Sequence, residues 1–311
     1  MSRKYNHVAV LLGGLSAERD VSLNSGKACA EALELQGYRV TRIDVGRDIG
    51  ERLGDLKPDV CFNALHGRLG EDGYLQGILE YLRIPYTHSG VLASALAMHK
   101  QLAKVVMHAA GVPVPEGKLV SRQEAAARHV MPPPYVLKPI AEGSSVGVFI
   151  VKPEQRHPPQ ELTSSDWAFG EELLAEKFIP GRELTCAVID GEPTGVIEIL
   201  PATGLQFYDY QAKYAHGGSR HILPAQLSPI INQSVQRFTL LAHRALGCRG
   251  VSRADFRLDE RPDGTWDLAC LEVNTQPGMT GTSLVPELAG HKGWSFGELV
   301  RWMVEDGSCD R

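Results

Sequence analysis

The chain has 311 residues, 43% hydrophobic and 22% charged, enough for two or three globular domains with a sizeable core. Its formal net charge of −5 argues against a nucleic-acid binder, which normally presents a basic face. No apolar run reaches the roughly 18 residues of a membrane span, and the polar stretch Met1–His7 has no apolar signal core behind it.

Val8–Leu12 is a short apolar run entering the turn Gly13-Gly14, which reads as a buried strand. A helix should follow from about Ser16, with that residue as its cap. Tyr38–Val45 and Val60–Leu65 are further strands. Strands alternating with helices imply a parallel sheet under helical cover, so an open α/β unit is expected over roughly the first 95 residues. Met98, Leu102, Val105, Val106 and Ala109 predict a helix over Met98–Ala110, stopped by Gly111, Pro113 and Pro115. Met131-Pro-Pro-Pro134 leads into a strand Tyr135–Ile140, with Val148–Val151 as its hairpin partner across the loop Gly143–Gly147. Arg156–Ser165 reads as a surface loop and Leu173–Phe178 as another strand. Leu184–Ile189 and Thr194–Leu200 flank Asp190-Gly191, a strong hairpin signal. Ala202–His221 has three tyrosines, three glycines and little periodicity, and its length is that of a functional lid. Asn232–Leu246 is helical and ends at Gly247. The cysteines Cys29, Cys61, Cys186, Cys248, Cys270 and Cys309 lack CxxC spacing and sit mostly in apolar strings. That is how a reducing, cytoplasmic setting uses cysteine.

The most informative segment is Arg253–Asn274, two strand-like runs around Pro262-Asp263-Gly264. With Asp263-Gly264 as a two-residue turn, Asp255 faces Glu272 and Arg253 faces Asn274. Alternation then gives an apolar face of Ala254, Phe256, Leu258, Ala269, Leu271 and Val273. The other face carries Arg253, Asp255, Arg257, Cys270, Glu272 and Asn274. An odd loop or a bulge would break this register. Asp, Glu and Asn oxygens suit Mg²⁺, and facing carboxylates are destabilising without a cation between them. Two Arg–carboxylate bridges on a solvated face are the plainer alternative. The loop Thr275–Leu284, rich in Gly and hydroxyls, can bring N–H groups close to a ligand and favours the functional reading.

Glu142-Gly-Ser-Ser-Val-Gly147 lies between two strands, where its backbone and hydroxyls could fold over phosphate oxygens. It is neither a Walker loop nor a GxGxxG, and a plain hairpin loop has the same composition. Lys138 and Lys100 read as phosphate partners or as solvated lysines. Glu176 and Glu183 could reach adenine and ribose, or be surface carboxylates. Glu18, in the first turn of its helix, would repel a phosphate and suits an ammonium group, or simply complements the helix dipole. His66-Gly67 with Gly70-Glu71-Asp72-Gly73 is a glycine-bounded turn at a strand end, where function concentrates.

Together these segments resemble the D-alanine–D-alanine ligases of the ATP-grasp superfamily, in order and over nearly the whole chain. They are Gly13–Arg19, His66–Gly73, Lys138-Pro139, Glu142–Gly147, Glu176-Lys177, Lys213-Tyr214, Arg253–Phe256 and Glu272–Met279. The resemblance implies an α/β, three-domain ATP-grasp architecture, with an N-terminal open parallel-sheet domain and two α+β domains clamping the nucleotide. The expected boundaries are 1–97, 98–183 and 184–311, with a lid at about 202–221. The implied activity is ATP-dependent synthesis of D-alanyl-D-alanine through D-alanyl phosphate, for peptidoglycan precursors, in a cytoplasmic homodimer without nucleic-acid or membrane partners.

The resemblance further implies that Asp255, Glu272 and Asn274 bind two Mg²⁺ ions, which Mn²⁺ could replace. Lys100, Lys138, Lys177, Lys213, Glu142, Ser145, Glu176 and Glu183 would hold ATP, with the Ile179 backbone near adenine. Glu18 would take the first D-alanine's ammonium, aided by His66. Arg253 and the Gly278 N–H would stabilise the oxyanion, Ser283 and Leu284 would receive the second carboxylate, and Tyr214 and Ser144 would link the lid to the first-substrate site. His99 stands where the family commonly has Asp, and a His is expected to cap the next helix poorly. The Lys-Tyr pair resembles ligases that use an amine acceptor. A ligase with another acceptor, such as D-lactate, and a non-catalytic α/β ligand-binding protein are the competing readings.

Overall fold

The computed structural model describes residues 3–143, 146–201 and 219–311. Ser144, Ser145, Lys213 and Tyr214, and with them most of the expected lid, lie outside the described residues.

The N-terminal layer is built from β1 (His7–Leu12), α1 (Arg19–Leu35), β2 (Arg39–Asp44), α2 (Ile49–Leu56), β3 (Val60–Asn63) and α3 (Tyr74–Tyr81). Its three strands are parallel in the order β2-β1-β3. All six residues of β1 are buried, because both faces of the sheet are covered. Val8, Val10 and Leu12 join a cluster with Cys29 and Leu33 of α1. Ala9 and Leu11 pack with Leu53 of α2 and with Leu75 and Leu79 of α3. Ser16 is not the cap expected of it. The helix starts at Arg19 with Glu18 as N-cap, and the Ser16 hydroxyl donates to the His66 carbonyl at 2.6 Å while accepting from Glu18 N–H at 3.2 Å.

The helix expected over Met98–Ala110 is α5 (Lys100–Ala109), and it is preceded by a helix the sequence reading does not anticipate, α4 (Val91–Met98). His99 between them is extended, with φ −87° and ψ 91°. It caps α5 after all: its Nδ1 accepts from Leu102 N–H at 3.3 Å. An imidazole nitrogen thus fills the acceptor role of an Asp oxygen.

Next come β4 (Gly117–Ser121), α6 (Arg122–Ala127), β5 (Tyr135–Pro139), β6 (Phe149–Val151) and β7 (Glu172–Lys177). They form an antiparallel sheet in the order β4-β7-β5-β6. The expected hairpin is there, with Tyr135 opposite Val151. The segment Arg156–Ser165, expected as a plain surface loop, contains a 3₁₀ turn, Gln160–Thr163, that buries Leu162 in this sheet's core.

The last unit has β8 (Arg182–Ile189), β9 (Glu192–Pro201), β10 (Ser219–Ile222), α7 (Pro229–Ala245), β11 (Ser252–Glu260), β12 (Trp266–Asn274), α8 (Leu284–His291) and α9 (Phe296–Asp306). Its five-stranded sheet runs β10-β9-β8-β11-β12. Asp190 (φ 57°) and Gly191 (φ 70°) make the two-residue turn between β8 and β9, both in the left-handed region that a type I′ hairpin requires. Residues 219–222, the end of the expected lid, form β10 against β9. Ala103 and Met107 of α5 share a core with Val235 of α7 and with Phe256, Leu258 and Cys270 of the ribbon. Val285 of α8 and Leu299 and Val300 of α9 share one with Val8, Val10 and Leu33. The C-terminal helices thereby bind the first unit to the last.

Candidate active site

The β11–β12 ribbon meets its expected register at the functional end, with Asp255 facing Glu272 and Arg253 facing Asn274. It does so through two irregularities that cancel. The connecting loop is odd, with Arg261 N–H bonded to Thr265 O, so Glu260 faces Trp266 and Phe256 faces Cys270. The register then shifts between Asp255 and Phe256, where Leu271 is the extra residue of a bulge. Three side chains therefore change face relative to the simple alternation. Cys270 is fully buried in the core with Phe256 and Leu268. Ala269 lies opposite Arg257, and Leu271 turns into a cleft with Glu183 and Arg257.

Two clefts meet on the ribbon's polar face. One is lined by Glu18, His66, Arg253, Asn274, Gly278, Ser283 and Leu284. The other is lined by Lys100, Lys138, Glu142, Glu176, Lys177, Ile179, Glu183 and Asp255. Glu272 lines both, and the adjacent residues Glu142 and Gly143 lie one in each. All the described residues singled out from sequence as site candidates thus line these two adjoining clefts.

In the first cleft, Glu18 is buried and starts α1, where the helix N-terminus favours negative charge. A β-carbon on Gly143 would lie 2.9 Å, and one on Gly67 2.7 Å, from its Oε2. Only glycine lets both backbones come so near the carboxylate. His66 is buried, with Nε2 3.2 Å from the Ser25 hydroxyl. Burial, helped by the positive charge of Arg253, pushes its pKa down to about 4, so it is neutral near pH 7. Glu71, in sequence one residue of a glycine-bounded turn, lines this cleft and accepts from Gly67 N–H at 2.9 Å. Burial and then the charge of Glu18 push its carboxyl up to about 8. Ser283 is the N-cap of α8, and its hydroxyl accepts from Thr280 N–H at 2.9 Å. The free N–H groups of a helix start make a carboxylate seat.

In the second cleft, Lys138 Nζ lies 2.5 Å from Glu176 Oε2. Burial would raise the Glu176 carboxyl, but Lys138 and Lys104 outweigh it and hold it below the usual range. Lys100 Nζ contacts the Glu142 carbonyl and lies 3.8 Å from Glu272 Oε2. Arg257 was assigned no role from sequence. Its Nε donates to the Ile179 carbonyl at 3.1 Å and its Nη1 lies 3.4 Å from Glu183 Oε2, so it braces two residues of the cleft.

Asp255 is buried and well supplied with donors. Thr185 Oγ1 donates to Oδ1 at 2.7 Å, Asn274 Nδ2 to Oδ2 at 3.0 Å, and Arg253 grips both oxygens at 2.9 and 2.7 Å. Among the described residues no group of three or more His, Cys, Asp or Glu gathers. Two facing carboxylates and one amide are hard donors that leave coordination positions for phosphate oxygens, the donor set Mg²⁺ takes with nucleotides. Behind the site, Gln276 accepts from Asn63 Nδ2 at 2.7 Å and donates to the Leu65 carbonyl. The loop after the ribbon is thereby tied to the N-terminal unit.

Residues 106–305 match the family described as D-ala D-ala ligase C-terminus, and residues 49–89 the one described as D-ala D-ala ligase N-terminus. The D-alanine–D-alanine ligase of Methylobacterium radiotolerans is 68% identical over 305 residues, 98% of this chain and 99% of that protein. The crystal structure of D-alanine–D-alanine ligase from Bacillus anthracis matches with a TM-score of 0.79 at 31% identity, over 97% of each chain. That ligase complexed with ATP matches with a TM-score of 0.77 at 30% identity, again over 97% of each chain.

Proposed function

The chain belongs to the family of D-alanine–D-alanine ligases, and from that premise we propose that it joins two D-alanine molecules, using ATP, through a D-alanyl phosphate. The product is the dipeptide needed for peptidoglycan precursors. The observation that carries the reading is the meeting of the two clefts at Glu272, with Glu142 and Gly143 spanning them. An amino acid in one cleft and the γ-phosphate of a nucleotide in the other come together there.

A carboxylate is a poor acyl donor because oxide would have to leave. Transfer of the γ-phosphoryl group gives that oxygen a good leaving group, and catalysis is mainly positioning and charge neutralisation. Glu18 takes the ammonium of the first D-alanine. Neutral His66 beside it adds no competing positive charge. Lys100 and Lys138 meet phosphate oxygens. Glu176, Lys177, Glu183 and the Ile179 backbone hold the adenosine. Asp255, Glu272 and Asn274 would hold Mg²⁺, which would supply charge neutralisation between carboxylate and phosphate. The second D-alanine places its carboxylate on Ser283 and the N–H of Leu284, at the start of α8. Its amine, once the ammonium has given a proton to solvent, attacks the acyl carbon; Arg253 with the Gly278 N–H stabilises the oxyanion, and collapse breaks the acyl C–O bond and releases inorganic phosphate. Ser144, Ser145, Lys213 and Tyr214, whose roles are part of the same proposal, lie outside the described residues. A cytoplasmic homodimer is part of the same proposal, as is a division of the chain near residues 97 and 183.

Phosphate release with ATP and D-alanine, with L-alanine, and with D-alanine plus D-lactate tests the reading. Release should require D-alanine and yield the dipeptide even when D-lactate is present. Turnover with L-alanine alone, or a depsipeptide as main product, would contradict it.

A further inference from the structure

At the wall of the second cleft lies a buried triad, of which Lys104 has no role in the reaction described so far. Glu176, on the central strand β7, is 2% exposed and flanked by two buried lysines. Lys138 Nζ is 2.5 Å from Oε2, and Lys104 Nζ is 2.7 Å from Oε1. Lys104 and Glu176 Oε1 are close but not in hydrogen-bond geometry, and neither atom has another hydrogen-bond partner among the described residues. A buried polar atom left in this state calls for a partner, and Glu176 lines the cleft.

The two lysines are not equivalent. Lys138 lines the cleft and is proposed to serve the phosphates; Lys104 does not line it. Lys104 comes from α5, whose neighbouring residues Ala103 and Met107 are anchored in the core of the C-terminal unit. A nucleotide that draws Lys138 away leaves Lys104 as the cation still beside Glu176. An ionised carboxylate can only accept hydrogen bonds. It therefore suits a purine with an amino group at position 6 and repels one with an oxygen there.

We propose that Lys104 is a positioning residue for base selection. It keeps Glu176 ionised and fixed, so that the cleft takes a 6-amino purine and rejects a 6-oxo purine. This rests on the reading of the second cleft as the nucleotide site. Burial and the neighbouring Lys138 push the Lys104 ammonium down to about 8. That is the strain expected of a cation kept in the interior for its partner.

The test compares kcat and KM for ATP and for inosine triphosphate in the wild-type protein and in Lys104→Met and Lys104→Arg. The wild-type should prefer ATP by at least about tenfold in kcat/KM, the discrimination one charged hydrogen bond supplies. Lys104→Met should lose about tenfold of that preference, chiefly through KM, and Lys104→Arg should keep most of it. A Lys104→Met protein with the wild-type preference overturns the proposal, as does an equal loss of kcat with both nucleotides. If Lys104→Met does not fold, Lys104→Gln is judged by the same criterion. Wild-type that uses both nucleotides equally overturns the proposal without any variant. Ile150→Trp, which would narrow the cleft from β6 while leaving all three triad residues in place, tests the parent reading separately. An unchanged KM for ATP in that variant would remove the nucleotide site itself.

Discussion

Arg253 is committed to Asp255, holding both carboxylate oxygens. In the proposed reaction the same guanidinium faces the developing oxyanion, and a cation held by Asp255 would take over part of the charge that Arg253 now balances. Arg253→Ala should therefore lower kcat by about 10²–10³, the loss typical of one oxyanion donor. A steady-state assay giving an unchanged kcat would strip Arg253 of that role. Residues of this kind are legible in sequence because alternation along a strand places them without long-range information. Arg257 was not legible as a brace, since its partners Ile179 and Glu183 lie 78 and 74 residues away. Glu71 is in sequence one residue of a glycine-bounded turn; its importance comes from burial beside Glu18, which appears once the chain is folded.

The β11–β12 ribbon shows how an element can be read correctly for an incomplete reason. Turn composition set the centre of symmetry, and the functional pairs followed. The five-residue loop and the bulge at Leu271 leave those pairs intact but invert the faces of Ala269, Cys270 and Leu271. Nothing in a run of apolar residues distinguishes the two arrangements, because Ala, Cys and Leu fit either face. The short helix α4 was missed for a similar reason: Val91–Met98 is apolar almost throughout, with no polar face to mark a helical period. The cap His99 makes has a measurable consequence. His99→Ala should reduce stability by about 1 kcal/mol, and His99→Asp should restore it. Urea midpoints of the two variants would check this, and an unaffected His99→Ala protein would show the cap to be idle.

Among the described residues, burial is the largest cause holding the imidazoles of His7, His66, His88 and His243 below their usual value. His66 and His243 are pushed down to about 4 and His88 to about 3, with nearby arginines adding to the effect. Unfolded, each would titrate near 6.5. Between pH 6.5 and about 4 the unfolded chain binds more protons, so stability is full above 6.5 and falls as pH drops through this window. Each histidine contributes at most about 1.4 kcal/mol per pH unit. Denaturant midpoints at pH 7.5 and 5.5 should differ in that direction, and His243→Gln should narrow the gap. An equal midpoint at both pH values would contradict the account. At this scale the parallel N-terminal sheet and the three hairpins could be read from local pattern. The return of α8 and α9 to pack with α1 could not, since it depends on surfaces that exist only after both sheets have formed.

The central claim is that the first D-alanine's carboxylate attacks the γ-phosphorus where the two clefts meet. D-Alanine carrying ¹⁸O in both carboxylate oxygens tests it directly. Mass analysis of the released phosphate should find one ¹⁸O per dipeptide formed, because the oxygen that bonds to phosphorus leaves with it. Phosphate free of label, with dipeptide still accumulating, would contradict the acyl phosphate and the arrangement of the site derived from it.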